Sequence, residues 1–307
     1  MPDGVPPGRQ ANLPWAAVVV NFNAGDALTG CVASVLAQDP PPELVVVDNA
    51  STDGSVDRLL RAHPGVRIVR AGGNLGYARA ANLGTAATDA PVIAVLNPDT
   101  VLAPGVGAAL TARFAADPGL GAVGPQLHNP DGTVYPSARR VPSVIDAVGH
   151  GLLFFVWRDN PFTRRYREIG ADPARPRDVD WLSGAAVWLR RAALDAVGGW
   201  DERYFMYVED VDLCWRLRRA GWRVAYEPAG TVEHLLGVST ANRPYRMIAE
   251  HHRSLLRFAS VRFTGLRRAL LGPAAAFLAA RGALAMAHHG LAARKDRLAA
   301  RRARRPG

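Results

Sequence analysis

The chain has 307 residues, 49% hydrophobic and 21% charged, so it is long enough to bury a sizeable core and is not disordered by composition. Its net charge of +10 is concentrated in residues 262–307, which hold ten Arg, one Lys and one Asp, while residues 1–261 carry 26 basic and 26 acidic side chains. A neutral body excludes a nucleic-acid-binding core, and two cysteines, Cys31 and Cys214, are too few for a disulfide framework or a zinc cluster and suit a reducing cytosol.

Residues 1–14, MPDGVPPGRQANLP, are rich in Pro and Gly, lack the apolar stretch of a secretory signal and read as a flexible leader. From there to Gly124, β-branched runs alternate with helical patterns, the signature of a parallel sheet with crossover helices. Strands are expected over Ala16–Phe22, Leu44–Asp48, Val66–Arg70 and Val92–Asn97, and helices over Asp26–Ala37, Ser55–Ala62, Tyr77–Ala86 and Pro104–Ala115. Asp53 or Ser55 is positioned to cap the second helix, and Pro104 suits a first helical turn. Beyond Gly124 the pattern changes. Asn129-Pro130-Asp131-Gly132 reads as a hairpin turn, and the Pro- and Arg-rich stretch to Asp178 as long loops. Regularity returns with Asp180–Leu189, a helix near Val211–Arg219, strands near Arg223 and Thr231, and a long helix after Arg243.

The expected division is a leader (1–14), a catalytic domain (15–240, split at 124 into two halves) and a helical, basic C-terminal region (241–307). No run of about 18 uncharged apolar residues occurs. The longest, Ala269–Ala280 and Gly282–Ala293, are split by Arg281, so no spanning helix is expected. From Phe277, large apolar residues recur every seven positions at Leu284, Leu291 and Leu298, bordered by Arg281, His288 and Lys295. A coiled-coil seam has this spacing too, but its second row would be Ala and then Arg294. Ordering on an anionic membrane surface is the preferred expectation, with a solvated basic tail as the alternative.

Open parallel sheets bind ligands at the carboxyl ends of their strands. The polar residues there are Asn21 and Asn23, Asp48 and Asn49, Asn74, and Asn97 with Asp99. NFNAGD after the first strand lacks the glycines of a dinucleotide fingerprint, and no phosphate-binding G-x-x-x-x-G-K-[ST] loop exists. Asp48 has two equal readings: its carboxylate accepts the imide N3–H of uracil or thymine, or it caps the turn in DNASTDGS. Asp99, in Asn97-Pro98-Asp99-Thr100, either ligates a hard divalent cation, which needs only one or two carboxylates beside substrate phosphates, or caps the following turn.

In ERYFMYVEDVDLCWR, Glu209, Asp210 and Asp212 crowd three acids into four positions among apolar neighbours. Crowded acids in such a setting raise one another's pKa, and one of them can act as a general base; a solvated helix face is the plainer reading. His234 follows a strand-like TVE, where a structural role competes with metal ligation. The pairs His251-His252 and His288-His289 read as surface or packing residues.

Taken in order, VVVNFN, LVVVDNASTDGS, GGNLGYARAANLG, VLNPDT, WLSGAAVWLRR, GGWDERYFMYVEDVDLCWRLRRAGW and VEH resemble a family 2 glycosyltransferase of the GT-A fold over residues 15–235. Within that family the chain is similar to bacterial rhamnosyltransferases. NPDGTVYPSARRVPS and RDNPFTRRYRE resemble the actinobacterial branch that adds L-rhamnose to N-acetylglucosaminyl (GlcNAc)-diphospho-decaprenol. The resemblance implies an α/β nucleotide-diphospho-sugar transferase fold with a Rossmann-like mixed sheet and an inverting transfer from dTDP-L-rhamnose to a polyprenyl-diphosphate-linked GlcNAc, at the cytoplasmic face of the membrane. It also implies roles: Asp48 reads the base, Asn21, Asn23, Asn74, Arg79 and Asn97 border the nucleotide sugar, and Asp99 with His234 ligates Mg²⁺ or Mn²⁺ at the donor diphosphate. Asp210 of the Glu209-Asp210 pair is the implied base. Where many relatives have Asp-x-Asp, this chain has Asn97. Transfer of another sugar, a sugar-1-phosphate nucleotidyltransferase and a non-catalytic membrane scaffold are the competing readings. The second lacks its Gly-rich basic loop, and Asp99 with Asp210 argues against the third.

Overall fold

The computed structural model describes residues 13–154, 156–168, 170–235 and 244–303, without the side chains of 144 and 292–303. The expected leader lies almost wholly outside them. Strand and helix then alternate: β1 (Trp15–Asn21), α1 (Ala27–Leu36), β2 (Glu43–Asp48), α2 (Ser55–Ala62), β3 (Arg67–Arg70), α3 (Tyr77–Thr85), β4 (Val92–Leu96), β5 (Thr100–Leu102) and α4 (Val106–Ala116). Each element expected in this half is present, and β5 is an addition. Pro104 falls just before its helix, because Gly105, at φ 81°, takes the N-cap. Asp53 accepts the Ser55 amide at 3.0 Å and the Ser55 hydroxyl at 2.6 Å, and so secures the start of α2.

The second half comprises β6 (Leu120–His128), β7 (Val134–Tyr135), β8 (Ala138–Arg139), α5 (Val144–Leu153), α6 (Pro161–Tyr166), β9 (Arg177–Asp178), β10 (Trp181–Leu182), β11 (Ala186–Arg190), α7 (Arg191–Ala196), α8 (Glu209–Arg219) and β12 (Arg223–His234). The hairpin turn at 129–132 is present between β6 and β7, closed by the Asn129 amide on the Thr133 carbonyl at 2.8 Å. The stretch expected as loops is instead partly helical. Ser143 caps α5 by accepting the Asp146 amide, and Asn160 with Pro161 starts α6 by accepting the Thr163 amide. Asp180–Leu189 is two strands, because the chain changes sheet at Ser183–Ala185: β10 pairs with β8, whereas β11 pairs with β4 and β6. The two strands expected near Arg223 and Thr231 are one, bulged between Glu227 and Thr231.

The main sheet runs β3-β2-β1-β4-β11-β6-β12-β5, with β7 on β6 and β9 on β12. Strands β3, β2, β1 and β4 are parallel, and β11 enters antiparallel to β4. Alternation sorts the central strands onto two faces. Trp15, Ala17 and Val19 pack with Leu28 and Val32 of α1 and Leu110 and Phe114 of α4, while Val18 and Val20 pack with Ala78 and Ala81 of α3 and Leu213 and Leu217 of α8. Burial on both faces explains the unbroken Val runs. Cys31 and Cys214 are buried free thiols, each pushed up to about 12 by burial.

The chain divides into two compact units, Met1–Phe205 with Glu209–Ser239, and Met206–Val208 with Thr240–Gly307. The second contains α9 (Pro244–Arg262), a 3₁₀ turn (Gly265–Leu270) and α10 (Leu271–Ala303). Arg281 of α10 reaches His252 of α9 at 3.0 Å, and His289 packs edge-on against Tyr245, so His252 and His289 serve packing. By length and composition alone, Gly265–Leu291 (27 residues) is apolar enough to cross a membrane, although its uncharged runs are short.

Two helical glycines should respond oppositely to alanine. A Cβ on Gly84 of α3 would meet Val18 Cγ1 at 2.2 Å and Val47 Cγ2 at 2.8 Å, whereas one on Gly30 of α1 meets nothing within 4 Å. Gly84→Ala should lose about 1–3 kcal/mol by overpacking, and Gly30→Ala should gain about 0.5–1 kcal/mol from helix propensity. Denaturant melts of both variants check the signs.

Candidate active site

The parallel register pairs Asn21 with Asp48 at the ends of β1 and β2, and the loops beyond them interlock. Asn21 is fully buried and donates from Nδ2 to Ser51 Oγ (3.0 Å) and Ser55 Oγ (3.1 Å). Asn23, at φ 51°, accepts the Thr52 amide on Oδ1 at 2.7 Å, and its own amide donates to Ser51 Oγ. Asp48 is buried and accepts the Ser51 amide on Oδ1 at 3.1 Å, which is the turn-capping contact. Its Oδ2 lies 3.6 Å from Arg70. Asn49, between them, accepts the Leu75 amide and donates to Asn74 Oδ1, which tethers the exposed Asn74 loop. Arg79 is not drawn into this network; its Nε donates to Glu202 at 2.9 Å.

Asp99 and His234 are 135 residues apart in the chain, and sheet register alone joins them. β5 pairs antiparallel with β12, setting Thr100 opposite His234, and the Leu235 amide donates to the Asp99 carbonyl at 2.9 Å. Both side chains are buried, with His234 Nε2 3.3 Å from Asp99 Oδ1 and 3.4 Å from Asn97 Nδ2. Neighbouring ligands of an octahedral cation with bonds of about 2.1 Å stand about 3 Å apart, so this pair fits a shared divalent ion. His234 Nδ1 is buried without a hydrogen-bond partner. Among the described residues no cluster of three or more His, Cys, Asp or Glu exists, so an ion held here would take its remaining ligands from substrate phosphates and water.

The three acids separate by partner. Asp212 is fully buried and accepts Arg216 Nε at 2.6 Å, and Arg216 in turn donates to the carbonyls of Val197 and Gly199, a structural tie. Glu209 is buried, and its Oε2 has no partner; burial, then the neighbouring Asp210 charge, pushes its carboxyl well above the ordinary range. Asp210 is also raised by burial, opposed by the amides of Gly184 (3.0 Å) and Val211 (2.8 Å) and by the charge of Arg139.

Residues 183–185 bind these parts together. The Asn97 amide donates to the Ala185 carbonyl at 2.8 Å, the Gly184 amide to Asp210, and the Tyr77 hydroxyl to the Gly184 carbonyl at 2.7 Å. Burial raises the Tyr77 hydroxyl well above its ordinary value, with the charges of Glu209, Asp210 and Asp99 adding to it. Sequence reasoning did not single out Tyr77, Gly184 or Arg139 as site residues. The available signal was Gly184 itself, a small residue where the chain changes sheets: a Cβ there would sit 3.3 Å from Asp210 Cβ.

The sequence pattern described as Glycosyltransferase like family 2 matches residues 13–255. The chain belongs to this family. It is 40% identical over 284 residues, 89% of this chain and 91% of the relative, to the N-acetylglucosaminyl-diphospho-decaprenol L-rhamnosyltransferase of Mycobacterium tuberculosis. Among solved structures the glycosyltransferase is similar in fold to GalNAc-T7 with UDP, GalNAc and Mn²⁺ (TM-score 0.60, 18% identity, 82% of this chain and 48% of that one). It is also similar to the mannosyltransferase PcManGT of Pyrobaculum calidifontis in complex with GDP-Man and Mn²⁺ (TM-score 0.56, 20% identity, 94% of this chain and 81% of that one). These likenesses bear out the GT-A fold.

Glu209 carries a pH-dependent cost. Its folded pKa is raised above an unfolded value of about 4.3. As pH climbs through that window, the unfolded chain releases a proton that the folded chain holds, and stability drains away. Glu209→Gln should therefore melt near wild type at pH 4.5 and progressively above it toward pH 8. Thermal melts across that range check this, and a constant offset would contradict it.

Proposed function

We propose that the glycosyltransferase moves L-rhamnose from dTDP-L-rhamnose, with inversion, onto a hydroxyl of a GlcNAc-diphospho-polyprenol acceptor. The observation that carries this reading is the tie, through residues 183–185, between the carboxylate of Asp210 and the end of β4 that leads into Asp99, which faces His234 at the end of β12. The acceptor class follows the relative that is 40% identical over nearly its whole length.

Residues 15–124 serve the donor, with Asp48 reading N3–H of thymine or uracil, and Asn21, Asn23, Asn74, Arg79 and Asn97 shaping the surrounding pocket. Residues 125–240 serve the acceptor. A divalent cation, Mg²⁺ or Mn²⁺, bound at Asp99 and His234 supplies the charge that stabilises the leaving diphosphate. Asp210 accepts the proton of the acceptor hydroxyl as that oxygen bonds to the anomeric carbon and the bond to the diphosphate breaks. Its raised pKa suits a base working near neutrality, and the Gly184 and Val211 amides hold its two oxygens in place. Of the two carboxyls, Glu209 is raised well above the ordinary range by burial and the Asp210 charge, whereas Asp210 has the Gly184 and Val211 amides and the Arg139 charge opposing its rise, which favours Asp210 as the member that ionises first.

Protein incubated with dTDP-, UDP- and GDP-sugars and a short-chain GlcNAc-diphospho-prenol should add one deoxyhexose from dTDP-L-rhamnose alone, read by mass spectrometry. Asp210→Asn should lose about 10²- to 10⁴-fold in turnover while keeping donor affinity. Asp99→Asn should also weaken metal-dependent donor binding. Wild-type turnover in Asp210→Asn would remove the assigned base.

The second unit is read as the anchor to the cytoplasmic face of the membrane, lying on anionic lipid. Leu266 is 97% exposed, and Leu284 and Leu291 are exposed on α10, in a region whose basic side chains each gain about 1 kcal/mol near such a surface. Lys295 and Leu298 fall where side chains are not described. The protein should co-sediment with anionic vesicles at low salt, and not with neutral vesicles. About 1 M salt should release it, and Arg267→Glu with Arg268→Glu should weaken it.

A further inference from the structure

The arginines around α5 and α6 fall into two groups. Arg140 and Arg177 share Glu168 at 2.9 and 3.2 Å, and Arg165 pairs with Asp146 at 2.8 Å. Arg139 and Arg167 have no carboxylate within ion-pair distance among the described residues, although both are partly buried. Arg139 sits in an aromatic box, its guanidinium carbon 4.9 Å from the Trp181 ring centre, 5.5 Å from Tyr135 and 5.8 Å from Tyr166. Arg167 lies 5.4 Å over Phe154, and its buried Nε has no hydrogen-bond partner. Burial and the Arg139 charge lower the Arg167 guanidinium, whereas Arg139, lowered by burial, is raised overall by Tyr166, Tyr135 and the Asp210 charge, and donates to the Pro136 carbonyl (2.6 Å) and the Tyr135 hydroxyl (3.1 Å). Two like charges in a partly apolar setting are costly unless an anion compensates them. The Arg139 charge also lowers Asp210, so Arg139 lies within electrostatic reach of the assigned base.

A second feature adjoins them. Phe154, which carries Arg167, ends α5, and that helix turns Ile145, Val148 and Leu152 (72%, 38% and 60% exposed) outward as one stripe. Val156 and Trp157 extend the apolar surface past the helix at 85% and 54% exposure. A cation pair without an ion-paired carboxylate therefore adjoins, through Phe154, an exposed apolar face, which is the chemistry of an amphiphile with an anionic head.

We propose that Arg139 and Arg167 bind the diphosphate of a prenyl-diphosphate acceptor and that the apolar face of α5 carries its hydrocarbon chain. The inference rests on reading the chain as a transferase to a diphospho-polyprenol and names the residues that recognise it. Arg139 grips one phosphate from its aromatic box, Arg167 supplies the second cation with its free Nε, and the attached sugar is thereby held toward Asp210.

Binding of farnesyl diphosphate to the full chain, with Mg²⁺ and TDP saturating the donor site, tests this by calorimetry. Wild type should bind farnesyl diphosphate more tightly than farnesol or inorganic diphosphate. Arg167→Ala and Arg139→Gln should each weaken it about 10- to 100-fold, and Arg139→Lys less, because ammonium keeps the charge without the planar fork. TDP affinity, unaltered in each variant, certifies the fold. Leu152→Gln should weaken farnesyl diphosphate and not inorganic diphosphate. Farnesyl diphosphate binding that is equal in wild type and both arginine variants, or no tighter than farnesol, overturns the cation site. Equal binding of inorganic and farnesyl diphosphate overturns the role of α5. Arginine-dependent binding in a protein that transfers no rhamnose leaves this site standing and fails the wider reading; rhamnosyl transfer with arginine-independent binding does the reverse.

Discussion

The site depends on one short segment having its hydrogen bonds satisfied where the chain changes sheets. Ser183–Ala185 leaves β10 and enters β11; Ser183 and Ala185 each still bond to the adjoining strand, and the backbone groups of Gly184 between them are served by neither ladder. The Gly184 amide goes to Asp210, the Gly184 carbonyl to the Tyr77 hydroxyl, and the Ala185 carbonyl to the Asn97 amide. An unpaired buried backbone group costs about 1–3 kcal/mol, so these bonds are obligatory for the fold as well as for placing the carboxylate. α3, α8 and the end of β4 are held in one arrangement by the same three atoms' requirements.

That constraint interacts with charge. Glu209 and Asp210 occupy the first turn of α8, where a helix dipole favours negative charge. Burial opposes it and prevails, since both carboxyls are raised. Asp212, in the same turn, is also raised by burial, but Arg216 opposes the rise with an ion pair that ties it into the scaffold. Three acids within four positions thus have three fates, set by what each side chain meets rather than by spacing. The stability lost at Glu209 belongs with function, a common pattern where a group must be kept out of water to be reactive.

Positive charge is divided in a comparable way. The body is neutral in total, yet partners are not matched one to one: Glu168 serves two arginines while Arg139 and Arg167 are stacked on rings instead. Net charge locates the basic tail and is silent about a pair of arginines without ion-paired carboxylates inside a neutral domain. Aromatic stacking makes such a pair tolerable, since a guanidinium gains from ring faces what it lacks in counter-ions.

The α/β half from β1 to α4 was legible in the sequence almost to the residue, because β1, β2, β4 and their crossover helices follow from local hydrophobic periodicity and from strands buried on both faces. The sequence also exposed the polar residues at the strand ends, the acidic cluster, the buried thiols' lack of partners and the basic tail, all of which are properties of neighbours in the chain. Where elements are short and capped by subtle signals, as at Ser143 and Asn160, helices passed for loops. Only tertiary contacts set Asp99 against His234, tied Asp212 and not Asp210 to Arg216, held Arg79 on Glu202, and put Arg139 near Arg167 without an ion-paired carboxylate. The Asp99–His234, Arg79–Glu202 and Arg139–Arg167 juxtapositions turn on strand register or on packing between segments 28 to 135 residues apart, and such contacts are set by the closure of the whole sheet, not by any local pattern.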